Sequence, residues 1–454
     1  MFSVRLFNFY FMRHRNLGGV PIESDAAAEI ISQHAHKVTH PDDLQPLFDR
    51  IGDARVVMLG EASHGTHEYY TWRSNISKRL IEEKGFNFIV VEGDWPDCYK
   101  LNRYVKGYSD GHTAADVLKS FERWPTWMWA NWEISALCEW MKKHNSGRSV
   151  DKRAGFYGLD VYSLWESMAA IMDYLKKTDP EALKVAQKAF RCFEPYSGDE
   201  GFEYASALRL TPELCETEVI NLLTEIQRRK PQYDHDHEAA FSAEQNALIA
   251  VNAEGYYRAM LQGGGASWNA RDRHMQETLE RLLKFHGPDS KAIVWAHNTH
   301  IGDATYTDMA DEGMYNLGGL ARHAFGTSNV VLVGFGSYEG SVIAGSSWGD
   351  EMKVKEVPKG VRDSWEFCMH LAGPENKLLL MNELQHTVLA GIPIGHRAIG
   401  VVYNPRHEHL GNYVPSVMPQ RYDAFVYIDK TRALHPLYLH PHGNAMPDTY
   451  PFGV

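Results

Sequence analysis

At 454 residues the chain outgrows the ~250–300 residues at which one hydrophobic core usually stops, so a second subdomain is expected. Hydrophobic residues at 44% and charged residues at 23% exclude a disordered chain and a disulfide scaffold. A formal net charge of -12, with no Lys/Arg run to offset it locally, repels phosphate backbones and excludes a nucleic-acid partner.

Residues 1–22 begin with a short apolar run broken by Arg5 and Asn8 and followed by Arg13 and Arg15. No small-residue cleavage site follows, so the segment reads as a disordered extension and not as a signal peptide. Strands are expected at 55–59 (RVVML), 87–91 (NFIVV), 155–159 (GFYGL), 291–296 (KAIVWA), 329–334 (NVVLVG), 398–403 (AIGVVY) and 423–428 (DAFVYI). Such near-continuous apolar runs suit strands buried on both faces, and helix-period segments lie between them. The expected class is therefore α/β: a mainly parallel sheet flanked by helices.

From 163 to 265 the strand-like runs vanish, which marks an all-helical insertion placed as a lid-like subdomain. The α/β core is then 23–162 together with 266–454. Beyond Gly263–Gly265, the stripe Met275, Leu279, Leu282 and Leu283 predicts a helix that returns to the core. No run reaches membrane-spanning length, so neither a membrane nor a membrane partner is expected. The cysteines (Cys98, Cys138, Cys192, Cys215 and Cys368) are odd in number and form no CxxC pair. Packed reduced thiols, a cytoplasmic location and no cysteine-type zinc site follow. Oligomeric state is not encoded legibly.

Four of the strands run into ionisable residues. Glu61 and His64 follow the first, Glu92 the second, Asp160 the third, and His297 and His300 the fourth. Open α/β sheets bind ligands outside the carboxyl ends of their strands, so neighbouring strands would gather these groups into one site. Gly60 and Gly65 bracket a tight turn, with Thr66 placed to cap the next helix. His64 then sits at a helix N-terminus, where neutral imidazole is favoured unless a carboxylate, Glu61 or Glu92, offsets the dipole. A carboxylate on one ring nitrogen leaves the other free as a base. His67, on the helix itself, is open to either a structural or a substrate-binding role.

The segments GEASHGTHE (60–68), VVEGDWPD (90–97), WPTWMWANWE (124–133), SWNARDRHM (267–275) and AIVWAHNTHIGD (292–303) together resemble the erythromycin esterase family. The tail at 403–437 is similar to the broader, non-resistance members, and the likeness runs in order from about residue 40 to 437. The resemblance implies hydrolysis of a carboxylic ester or lactone by a histidine-activated water, with no cofactor and no metal. Carried onto this chain, His64 is the general base, and Glu61, Glu92, His297 and His300 line the site. Arg73 resembles the family's site arginine, suited to hold an oxyanion or a carboxylate. The resistance enzymes tend to carry a small residue at the position of His67 and often arginine at Ala130, so these departures bear on macrolide specificity and not on reaction class.

Competing signals are weaker. GSSWG at 345–349 matches a serine-nucleophile motif by letters, yet its continuation alternates like a second strand, so a β-hairpin is expected around Ser347. The pairs His64/His67 and His297/His300 with Glu61 and Glu92 would also suit a metal-dependent hydrolase. A non-catalytic small-molecule binder is the third reading. The sequence 234–238 (DHDHE) falls at a helix start, where acidic residues are simply favourable. Trp127 and its neighbours are core residues or an apolar wall for the substrate. Arg271 and Asp272 form an ion pair that anchors the insertion, or Arg271 touches substrate. His435, His440 and His442 read as a solvated tail.

Overall fold

The computed structural model describes residues 22–109, 112–197, 202–229 and 236–438. The expected N-terminal extension therefore lies outside the described residues, apart from Ile22, as do His440 and His442.

The centre is a 9-stranded sheet. Its strands are β1 (Ala35–Lys37), β2 (Val56–Leu59), β3 (Phe88–Asp94), β4 (Gly155–Asp160), β5 (Ala292–Trp295), β6 (Val330–Ala344), β7 (Lys353–Val357), β8 (Lys377–Leu380) and β11 (Ala424–Thr431). A separate antiparallel pair is formed by β9 (Ile394–Arg397) and β10 (Tyr413–Ser416). The order in the sheet is β1-β8-β11-β6-β2-β5-β3-β4, with β7 paired to β6. Pairings among β11, β6, β2, β5, β3 and β4 are parallel, while β1, β7 and β8 add antiparallel margins.

Side chains of the central strands alternate between two apolar layers, because successive Cβ atoms leave a strand on opposite faces. Val57, Leu59, Ile89, Val91, Ile293 and Trp295 pack into one layer. Val56, Met58, Phe88, Val90, Ala292 and Val294 pack into the other. Met275, Leu279, Leu282 and Leu283 face that second layer from the helix Ala266–His286, as their spacing predicts.

The described residues of 164–260 form five α-helices joined by turns and no strand: Leu164–Thr178, Pro180–Phe193, Phe202–Leu208, Glu216–Arg229 and His237–Met260. They surround an apolar cluster of their own that includes Met168, Ile171, Phe193, Leu222 and Ile226. Local signals set the helix ends. Asp179 accepts hydrogen bonds from the backbone N–H groups of Glu181 and Ala182, and Pro180 takes the first helical position, where its missing donor costs nothing. Asp236 caps the long helix in the same way, so part of the DHDHE segment is a helix start.

Three expectations need correction. Cys192 and Cys215 form a disulfide with their Cα atoms 5.8 Å apart, so the thiols are not all reduced; Cys98, Cys138 and Cys368 are free and buried. The run 398–403 makes only isolated bridges, Ile399 with Ser63 and Val402 with Gly345, and no strand. Thr66 holds the N-cap position but makes no side-chain cap; its hydroxyl is engaged by the Ser63 hydroxyl instead. The β6–β7 pairing is the hairpin expected around Ser347, which lies in its exposed turn. No described helix is long and apolar enough to cross a membrane.

Candidate active site

The register of the central strands explains how residues far apart in the chain meet. Leu59 and Val91 both lie opposite Trp295, and Asp94 lies opposite Asp160, so the carboxyl ends of β2, β5, β3 and β4 form one edge. The ionisable residues that follow those strands converge there. Gly65 makes the first turn possible, since a Cβ on it would run into the backbone of Ile343 in β6.

His64 stands in the turn just before the helix His67–Lys84. Its Nδ1 is 3.0 Å from Glu61 Oε1, and the other oxygen of Glu61 accepts a 2.6 Å bond from Arg73 Nη2. Arg73 is wholly buried, with its guanidinium against the rings of Tyr70 and Trp295. It holds a carboxylate of the protein itself, that of Glu61. The chain Arg73–Glu61–His64 keeps a proton on Nδ1 and turns the Nε2 lone pair toward Glu92. That nitrogen is 4.0 Å from Glu92 Oε1, too far for a hydrogen bond.

Glu92 is the hub on the opposite side. Its Oε1 accepts from Arg271 Nη2 at 2.7 Å and lies 3.4 Å from His300 Nε2, and its Oε2 accepts the backbone N–H of His297 at 2.8 Å. Arg271 also grips Asp160 through two bonds of 2.6 and 2.9 Å. Asp272 is not paired with Arg271; it holds His300 Nδ1 at 2.9 Å and accepts the backbone N–H of Leu317. The indole of Trp268 stacks on the His300 ring with 4.4 Å between centroids.

His297 lies 4.9 Å from His64, ring centre to ring centre. Its Nδ1 accepts the backbone N–H of Thr299, which places the proton of the neutral ring on Nε2. That Nε2 is buried and makes no hydrogen bond. The Ala62 backbone carbonyl is the protein acceptor that bears on this ring.

Electrostatics separate the two histidines. Burial works against a charge on His64, but Glu92 and Glu61 outweigh it and raise its pKa above the ordinary value. Burial drives the pKa of His297 well down, and the neighbouring His64 adds to the effect. The carboxyl of Glu92 is buried too, yet His300, Arg271 and His64 hold it ionised far below its usual range. One imidazole thus holds a proton more readily than a free one, and the other stays neutral.

Two expected site residues lie elsewhere. Trp127, 1% exposed, belongs to the apolar core; its neighbour in that loop, Trp129, touches the cluster, with its indole N–H donating to the backbone carbonyl of Glu92 at 3.1 Å. His67 opens its helix and turns away to Glu133, with Nδ1 2.6 Å from Oε1. His64 and His67 therefore do not share a ligand position. Among the described residues, the group with metal-ligand spacing is His67, Glu133 and His435. His435 is consequently no solvated tail residue.

A cleft of about 400 Å³ is lined by Glu122, Arg123, Trp124, Trp165, Glu166 and Ser197, and so runs between the tryptophan-rich loop and the helical segment. Arg123 packs on one ring, Tyr162, that Arg271 also contacts, which places the cleft beside the cluster. Asp94, paired with Arg123, has its carboxyl pushed by burial up to about 7.

Residues 81–431 match the sequence pattern of the family described as erythromycin esterase, a stretch that starts beyond Glu61 and His64. An Escherichia coli protein, erythromycin esterase type II, is 26% identical over 333 residues, 68% of this chain and 76% of its own. A Bacillus subtilis protein, putative hydrolase YbfO, is 21% identical over 57% of this chain and 59% of its own. Among solved structures, a succinoglycan biosynthesis protein aligns with a TM-score of 0.73 at 22% identity, covering 91% of this chain and 98% of that one. An erythromycin esterase mutant in its open conformation aligns with a TM-score of 0.63 at 15% identity, covering 88% of this chain and 97% of that one. At these identities the solved structures speak for the fold.

Proposed function

We propose that this chain, which belongs to the erythromycin esterase family, cleaves a carboxylic ester or lactone by attack of a water that His64 activates. The observation that carries the reading is the Arg73–Glu61–His64 chain, which fixes the tautomer and leaves Nε2 open. Water is a poor nucleophile at neutral pH, and a correctly oriented imidazole is well matched to take its proton. The attacked carbonyl sits between His64 and His297, so that the Nε2–H of His297 stabilises the developing oxyanion by a hydrogen bond. Water adds to the carbonyl carbon, the C–O bond breaks, and the proton taken by His64 returns to the alkoxide. Relatives named as an esterase and a putative hydrolase support this class.

Purified protein incubated with aryl esters and lactones, with and without a strong chelator, tests the proposal. Turnover of at least one ester at a rate that chelation leaves unchanged is expected. Loss of activity that zinc or manganese restores in a His435→Ala variant as well as in the parent would replace it with the metal-dependent reading.

The helical segment at 163–265 acts in this proposal as a lid that recognises the bulk of the substrate. Trp165 and Trp124 supply aromatic walls in the cleft, and Glu122, Arg123 and Glu166 supply charge. Replacing Trp165 by alanine should lower kcat/KM for bulky esters at least ~10-fold, about 1.4 kcal/mol, relative to a small aryl ester. An unchanged ratio would reduce the segment to a cover for the core.

A further inference from the structure

His67, Glu133 and His435 bring ligand atoms within 4.8 Å of one another, outside the catalytic cluster and from three separate stretches of chain. His67 opens the helix His67–Lys84, Glu133 lies in the first turn of the helix Trp132–Asn145, and His435 follows β11. Both imidazoles direct the same ring atom, Nδ1, at the same carboxylate oxygen, at 2.6 and 2.7 Å. The rings meet edge to face at 89°, so the two nitrogens approach that oxygen from different directions. The Glu133 side chain is fully buried while that of His435 is 20% exposed, which leaves the group open on one side.

We propose that this triad binds one divalent transition-metal ion, zinc by preference, through Nδ1 of His67, Nδ1 of His435 and a carboxylate oxygen of Glu133. Two imidazoles and a carboxylate without thiolate are a borderline donor set, suited to zinc in preference to magnesium or calcium. In the metal-free form each Nδ1–H donates to Glu133. On binding, the ring proton sits on Nε2 and Nδ1 gives its lone pair to the ion, so no net proton need leave a neutral ring. Tetrahedral ligands at ~2.0 Å stand about 3.3 Å apart, so the contacts must open by roughly half an ångström. A water on the His435 side completes four ligands.

The ion's role is structural. The segment carrying His435 lies across the catalytic turn, where Leu434 N–H donates to the Gly65 carbonyl and His67 N–H to the Arg432 carbonyl. A metal on His67, Glu133 and His435 fastens that segment over the loop bearing His64.

Full-length protein stripped by chelator, then titrated with zinc chloride, tests the site by calorimetry, metal analysis and thermal unfolding. One zinc per chain, a rise in Tm, and visible absorption bands of a four-coordinate site with cobalt(II) are expected. His67→Ala and His435→Ala should each weaken zinc binding at least ~10²-fold, as loss of one of three protein ligands does. His297→Ala should bind as the parent does. Should His67→Ala fail to fold, His435→Ala, on the partly exposed segment, decides alone. No stoichiometric binding at tens of micromolar zinc overturns the proposal, as does binding that survives His435→Ala or disappears with His297→Ala. The readouts are binding and Tm, so failure here leaves the hydrolase proposal standing, and the reverse also holds.

Discussion

His64→Ala lowers kcat at least ~10²-fold on any ester the protein turns over, while KM changes little. The size follows from the role. Removing the imidazole leaves water to attack without a base, and no other group near it can substitute. Glu92 is held ionised by Arg271, His300 and His64, which makes it a weak base, and His297 is kept neutral with its proton on the nitrogen that faces the site. The acid limb of the pH profile is set by His64, which must be unprotonated to act. Burial opposes its charging, but Glu92 and Glu61 raise its pKa above the ordinary value, so kcat/KM should begin to fall on the alkaline side of about 6.5. Glu92→Gln removes one of the two carboxylates that favour the charged ring and should move that limb to lower pH. A variant lacking His64 that retains near parental turnover, beside a dead His297→Ala, would assign the base to His297.

Which parts of this site the sequence discloses follows from what periodicity can encode. The strands β2, β3, β4 and β5 are apolar on both faces, and each ends in an ionisable residue, so both the strands and the residues at their ends are visible. Their adjacency is not visible, because β5 lies between β2 and β3 although about 200 residues separate it from either. The strands β1 (AHK), β9 (IGHR) and β10 (YVPS) carry no unbroken apolar run, and β8 (KLLL) has no β-branched residue, unlike the equally short β2 and β5. Conversely, the apolar run at 398–403 looks like a strand but has no neighbour to form a ladder with. Cys192 and Cys215 are 23 residues apart on different sides of a helical turnabout, a spacing that says nothing of proximity. Asp272 beside Arg271 suggests an ion pair, but neighbours on a helix point about 100° apart and meet different partners. His435 follows the last strand among prolines, and only the bridge of Pro436 to Asn131 brings it onto Glu133.

Arg271→Met destabilises the fold by about 3–5 kcal/mol at neutral pH, the scale for removing one partner of a buried ion pair. Arg271 is 13% exposed and lies between Glu92 and Asp160, which are 4% and 6% exposed. Its removal leaves two buried carboxylates facing each other with their shared cation gone, and methionine fills the volume without supplying a donor. The effect depends on pH, with a sign that identifies its cause. In the parent, burial would raise the pKa of Asp160, but Arg271 outweighs it and depresses the value below that of an unfolded chain. Glu92 is depressed as well, by His300 and Arg271 against the effect of burial. Both groups therefore contribute stability above the unfolded carboxylate range of about 4, and it is lost as pH falls through their folded values. In the variant, burial and mutual repulsion act without Arg271, so at least one carboxyl takes up a proton more readily folded than unfolded. The stability gap between parent and variant should then narrow as pH falls from 8 to 5, as measured by urea unfolding at each pH. A gap that is constant across this range would mean that Arg271 stabilises the fold by packing its side chain against Tyr162 and not by neutralising Glu92 and Asp160.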